Sequence, residues 1–299
     1  MYLCLIFVAD TSNLWVIISR NHITTTNMKK RAIIRIGAAG IDIFAFVVIY
    51  LLIQIAVSFI FVNYVDWAYG NDGRLTDYGF FAIYLCSMVP ILIFTTRYES
   101  MRHKYSTPVM SSWRGFDPTA ILWGFILLAC ASIALSPIKM ALPDTERTLP
   151  TGGWTLVTVC ILAPIFEEII FRGRLFSMLH HSVGALSSAL ITALLFGLVH
   201  GDPRVMIDGF VAGMIFSFLY IRKGSIIAPI LVHMCNNAIA YALMILSYQD
   251  KSAAQILGES VDMTIVYIVS VVVMLVGFAV VIRTLRRYGR GVAEPSAMP

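Results

Sequence analysis

A chain of 299 residues that is 59% hydrophobic and only 13% charged lies far outside the composition of an ordinary soluble domain. Its formal net charge of +5 is modest, so where the charge sits says more than its sum. These values exclude a pair of soluble domains and leave a polytopic membrane protein whose surroundings are the lipid bilayer; no nucleic acid partner is expected.

Residues 1–27 fit no span. Tyr2 to Val8 is apolar but too short, and Asp10, Asn13, Arg20 and Asn21 interrupt the residues after it. Met28-Lys29-Lys30-Arg31 reads as an N-terminus ahead of a first span, which makes 1–27 either a start called too early or a short interfacial segment. No small-residue cleavage site argues for a secretory signal. Eight apolar stretches come next, near 38–62, 80–96, 118–137, 152–172, 184–200, 205–221, 226–247 and 263–282. The fourth is expected to continue as an amphipathic extension to about His181. Isolated strands cannot satisfy their backbone in lipid, so the expected class is all-α: a transmembrane helical bundle of about eight spans.

Lys and Arg set the expected orientation. Sixteen lie on one side, in the groups 29–35, 97–114, 172–174, 222–223 and 283–290, against Arg74, Lys139, Arg147, Arg204 and Lys251 on the other. Both termini are therefore expected in the cytoplasm, with a bacterial plasma membrane as the location. The chain divides into the doubtful segment 1–27, three N-terminal spans in 28–150, a core of spans four to seven in 151–247, and a last span with a basic tail in 248–299. From Gly289 onward the tail is expected to be disordered. The five cysteines are scattered, without a C-x-x-C, and read as small buried apolar residues; Cys235, beside His233, is the one with another use open to it. Gly209 and Gly213 form a small-xxx-small pair suited to close helix packing.

The chemistry concentrates in Leu162-Ala163-Pro164-Ile165-Phe166-Glu167-Glu168-Ile169-Ile170-Phe171-Arg172. Each charge near a bilayer centre costs about 2.5–3.5 kcal/mol on insertion scales, so two adjacent carboxylates need a reason. Glu168 and Arg172 are four apart and can pair on one helical face. Glu167 points about 100° away and is left for a partner elsewhere in the chain. A purely structural ion pair between spans is the competing reading.

Three more polar sites lie further along: His200 after Phe196, the run His233-Met234-Cys235-Asn236-Asn237, and Asp208. Glu167 and His200 are equidistant from a turn expected at Val183-Gly184, so an antiparallel hairpin lets them face each other. His233 and Asn237 share one face of their span. His233 lies about 12 Å in from the turn at Lys223-Gly224, against about 24 Å for His200, an offset that closes only if the fifth helix starts outside the bilayer or the spans tilt.

A carboxylate, two imidazoles and a carboxamide in a dry pocket suit hydrolysis of an acyl bond. Glu167, assisted by His200, would take a proton from water, and His233 and Asn237 would donate to the developing oxyanion. The set Glu167, His200 and His233 could instead hold zinc with a water as fourth ligand, although no H-E-x-x-H is present. In that case Glu168 is the candidate base. Three separate helices supply this set, and Asn is a poor zinc ligand, which favours the reaction without a metal.

At these residues the chain resembles the CPBP intramembrane proteases, which include type II CAAX prenyl endopeptidases, bacteriocin-processing enzymes and Abi proteins. Glu167, Glu168 and Arg172 match its E-E-x-x-x-R motif, Phe196 and His200 its F-x-x-x-H motif, and His233 and Asn237 its H-x-x-x-N motif. The resemblance covers roughly 150–245. It implies a bundle of about eight spans that hydrolyses peptide bonds of a peptide or protein substrate in or at the membrane. Glu167 and His200 would activate water and His233 and Asn237 would stabilise the oxyanion, with Glu168 and Arg172 in the same catalytic set. The family carries both a metalloprotease label and a metal-free glutamate mechanism. The resemblance implies peptide maturation, bacteriocin immunity or CAAX-like processing, with prenylated substrates belonging to the eukaryotic and archaeal branch. The reading from a different class is a non-catalytic immunity scaffold or a proton-coupled transporter, which would also bury Glu and His.

Overall fold

The structure is a computed structural model that describes residues 3–103, 116–143, 149–246 and 262–291, with side chains described from Lys30 onward apart from Arg31, Ala32, 102–103 and 289–291. The expected tail beyond Gly291 and the loop around 247–261 lie outside these residues.

Helices dominate, and no β-strand occurs among the described residues. They are α1 (Leu3–Tyr64), α2 (Asp77–His103), α3 (Pro118–Ala134), the short α4 (Ser136–Met140), α5 (Gly153–Val183), α6 (Ala185–Leu198), α7 (Pro203–Lys223), α8 (Ile227–Ile245) and α9 (Met263–Gly291). Six of them, with α1 counted from Ile33, are long and apolar enough to cross a bilayer; α3 and α6 are apolar but shorter. All eight expected stretches are thus helical, in an all-α polytopic membrane protein. At 62 residues α1 would extend roughly 90 Å, three times a hydrocarbon core, so only its apolar part from Ile33 needs the bilayer.

Local chemistry sets the helix ends. Asp117 and Asp202 each accept two backbone N–H groups at the start of α3 and α7, and Pro118 and Pro203 follow at the first helical position, where a missing N–H costs nothing. Gly224 ends α7 in the left-handed region at φ 58°. The turn between α5 and α6 falls at Gly184, φ 80°, where the hairpin expected from the sequence reverses.

Helix α7 runs through the middle of the bundle, packing along α6 and against α8, α3, α5 and α9. Small residues bring α6 and α7 together. A Cβ on Gly197 would lie 2.5 Å from the Met206 carbonyl oxygen, and one on Gly213 would lie 2.7 Å from Ala193 Cα. The Gly209–Gly213 pair is a packing seam, as its spacing predicts. On the outside, Ile33, Phe44, Ile55, Ile93 and Leu275 are all more than half exposed, which for a bundle of this hydropathy is a surface for lipid. Cys160 is buried, whereas Cys86 and Cys235 are exposed on that surface, so the expectation of uniformly buried cysteines fails for these two.

Candidate active site

The site grows out of an irregularity in α5. Its turns at Thr158–Leu162 and Ile169–Phe176 are wide π-type turns, on either side of an α-helical piece that carries Glu167 and Glu168. Pro164 explains the first. It has no N–H to give and its ring crowds the preceding turn. The Ala163 N–H bonds the Thr158 carbonyl, one residue further back than in an α-helix. The Val159 carbonyl therefore loses both intrahelical partners: Ala163 is taken and Pro164 has no donor. Asn237 of α8 supplies the replacement, its Nδ2 donating to Val159 O at 3.0 Å.

That bond is one of three. His233, Asn237 and Tyr241 recur every fourth residue along one stripe of α8, and the stripe engages α5 at three levels. His233 Nδ1 lies 3.1 Å from Glu168 Oε1, Asn237 holds Val159, and Tyr241 both donates to Gly152 O at 2.9 Å and accepts from Gly152 N–H at 3.0 Å. The shared face of His233 and Asn237 was legible from spacing; Tyr241, one more turn along, was missed although the same four-residue period points to it. Asp77 was also missed. Its carboxylate accepts the Trp154 and Thr155 N–H groups at 3.0 and 2.5 Å and so caps α5 from α2.

Glu168 and Arg172 pair as their spacing requires, Nη1 to Oε1 at 2.9 Å, with both side chains fully buried. The guanidinium sits over the Phe196 ring at 4.5 Å and the Phe216 ring at 5.2 Å from their centroids. These π faces, with a planar weakly hydrated cation between them, offset part of the cost of burying Arg172, whose Nε and Nη2 have no hydrogen-bond partner among the described residues. A Cβ on Gly213 would stand 3.1 Å from Nη2, so α7 must be bare at that point.

Phe196 is the hub. Its ring meets that of His200 at 5.0 Å and that of His233 at 5.7 Å, both edge to face, so one ring touches both imidazoles and the depth offset between them is absorbed. Phe216 stacks on His233 at 5.0 Å. Phe216 carries no signal in the sequence, since an aromatic residue in an apolar span looks like any other.

Glu167, half-buried, has partners outside its own helix. It accepts from the Tyr84 hydroxyl of α2 at 3.4 Å, and His233 Nε2 lies 3.8 Å from its Oε2. Because the Glu168 carboxylate can only accept, His233 Nδ1 carries its proton there and Nε2 is the atom turned toward Glu167. His200 Nδ1 is 2.7 Å from the Phe196 carbonyl, which likewise places a proton on Nδ1 and leaves Nε2 as the basic nitrogen. Asp208, grouped with these residues by its place in a span, goes elsewhere: Lys139 donates to both its oxygens at 2.9 and 2.8 Å. Arg172 and Arg174, expected among the loop cations, lie inside the bundle, Arg174 on Glu99 at 2.8 Å. Without those two the asymmetry is fourteen against five.

The donor set does not fit a zinc ion as it stands. No three His, Cys, Asp or Glu side chains among the described residues are grouped to hold a metal. His233 Nδ1 and Glu168 are committed to one another, and Glu168 also to Arg172.

Residues 150–239 match the family model described as type II CAAX prenyl endopeptidase Rce1-like. A Bacillus subtilis protein whose name describes a membrane peptidase, YdiL, is 33% identical over 97 residues, covering 32% of this chain and 38% of its own. An uncharacterized 24.3 kDa protein of Escherichia coli is 34% identical over 115 residues, 37% of this chain and 52% of its own. The membrane-embedded CAAX protease MroQ of Staphylococcus aureus is 27% identical over 146 residues, 44% of this chain and 59% of its own. The chain thus spans between about two fifths and three fifths of the length of these relatives. No solved structure matches it significantly. The matched segment is the one that brings Glu167, Glu168, Arg172, Phe196, His233 and Asn237 together, and this similarity supports the resemblance to the CPBP proteases that the motifs carry.

Proposed function

We propose that this protein is an intramembrane endopeptidase that hydrolyses peptide bonds of a substrate lying in or at the membrane. The observation that carries the reading is the division of labour between the adjacent glutamates. Glu168 is consumed by Arg172 and His233, while Glu167 faces His233 Nε2 across 3.8 Å. That separation is too long for a direct hydrogen bond and suits a shared water or substrate oxygen.

In this reading Glu167 takes a proton from the attacking water, with Tyr84 fixing its second oxygen. His200, basic at Nε2, assists as a second proton acceptor. His233 is oriented by Glu168, in the way a carboxylate orients an imidazole in hydrolytic triads, and stabilises the tetrahedral oxyanion from Nε2 when that nitrogen is protonated. Asn237 spends one N–H on Val159 and keeps the other for the same oxyanion. No step runs through a metal. Peptide maturation or bacteriocin immunity, in a bacterial plasma membrane with both termini cytoplasmic, is the setting we assign. The fourteen-to-five cation asymmetry supports that orientation. An exported reporter fused after Pro299 would reverse it.

The test compares membrane and secreted peptides from cells carrying the wild type and Glu167→Gln. The expected result is a peptide set that disappears in the variant at equal protein level. Unchanged peptides would leave the Glu/His cluster with a structural or proton-carrying role.

A further inference from the structure

Helices α3, α7 and α9 enclose a cavity of about 560 Å³. Its walls are almost wholly apolar, with Trp123, Leu127, Leu219, Val273 and Gly277 among them. Trp123 is 65% exposed and Val276 60% exposed, so the cavity opens sideways to lipid. Its size is that of a small-molecule site.

Three features say what fits there. The first is depth. Along α3 the lining runs from Asp117 to Leu127, ten residues, or about 15 Å of helix and half of a hydrocarbon core of about 30 Å. The groove is therefore one leaflet deep. The second is charge at its mouth. Lys223 is spent on Asp117, and that lysine, together with the Thr119 hydroxyl and the Ala120 N–H, holds the Asp117 carboxyl well below the usual carboxylate range, so the pair stays ionised and cancels. Arg222 remains, exposed, with its guanidinium 5.9 Å from the Phe218 ring centroid. The third is the course of α9. The exposed stripe Val272, Val276, Val280 continues at the same three- and four-residue spacing into the exposed Arg283 and Arg287. An apolar slot one leaflet deep thus ends under three cations. That rim complements an anionic headgroup better than a zwitterionic or cationic one.

We propose that this groove is a binding site for one anionic glycerophospholipid, its acyl chain lying between α3 and α9 and its phosphate under Arg222, Arg283 and Arg287. The assignment does not depend on the reaction at Glu167, which is not among the residues lining the groove.

The test uses the full chain in nanodiscs. A variant keeping Trp123 as its single tryptophan is titrated with phosphatidylglycerol brominated on the acyl chain, and separately with brominated phosphatidylcholine. Native mass spectrometry of the unaltered chain counts the lipids it retains. We expect stronger quenching of Trp123 by the anionic lipid, and one such lipid retained on the unaltered chain. Arg222→Gln should lower the preference about fivefold, the effect of one cation near a lipid surface. Ala120→Phe, which fills the groove, should abolish it. Equal quenching by both lipids with no effect of Arg222→Gln means ordinary boundary lipid and overturns the proposal. So does a second copy of the chain covering Trp123 with no lipid retained.

Discussion

The carboxylate–cation pairs Glu168–Arg172, on α5, and Asp208–Lys139, between α7 and the end of α4, are built for different ends. Asp208 and Lys139 close on each other. Both carboxylate oxygens take the ammonium, Ser132 accepts another of its protons, and the side chains keep 42% and 16% of their exposure. Glu168 and Arg172 are fully buried, share one oxygen with His233, and are walled by Phe196 and Phe216. The first pair neutralises two charges near a helix end. The second aims an imidazole at a neighbouring carboxylate. The difference lies in what each network leaves over: nothing at Asp208, and at Glu168 a neighbouring carboxylate, Glu167, on which the proposed reaction rests.

The contrast can be broken at several points. Glu167→Gln keeps shape and removes the spare charge. It should lower activity by about 10²–10⁴-fold, the usual weight of a general base, at a normal yield of folded protein. Arg172→Leu strands Glu168 among aromatic rings and should cost about 3–5 kcal/mol, seen as loss of monodisperse protein in detergent. Similar loss of folding in Glu167→Gln would erase the distinction between the two glutamates.

Asn237→Ala should cost about 1–3 kcal/mol in thermal unfolding, because it uncovers the Val159 carbonyl. In a Pro164→Ala background, where a backbone N–H returns to α5, that cost should shrink. An unchanged cost would separate Asn237 from the wide turn. Lys139→Met should cost only about 1 kcal/mol, since Asp208 still reaches water, and should leave activity alone. A loss as large as that of Arg172→Leu would make the two pairs equivalent. The smallest effect belongs to Asp117→Asn at the end of α3. Because the folded carboxyl titrates below its unfolded value, its contribution is present above about pH 4 and fades as pH falls through the lowered pKa. Melting temperatures of wild type and variant should differ slightly at pH 7 and converge in acid.

The class, and several of the contacts within the candidate site, are legible in the chain. Apolar run length decides that the chain crosses a membrane as helices, because lipid offers backbone groups no other partner. Four-residue spacing decides that Glu168 meets Arg172 and that His233 and Asn237 share a face, because those pairs lie on one turn of a single helix. Tertiary structure decided everything that depends on which helices touch. It directed Asp208 to Lys139 rather than to the histidines, brought Tyr84 to Glu167, set Phe216 on His233 and gave Asp77 the start of α5. Pro164 shows the boundary between the two. Its missing N–H is written in the chain, but only packing against α8 decides which side chain answers the carbonyl it leaves behind.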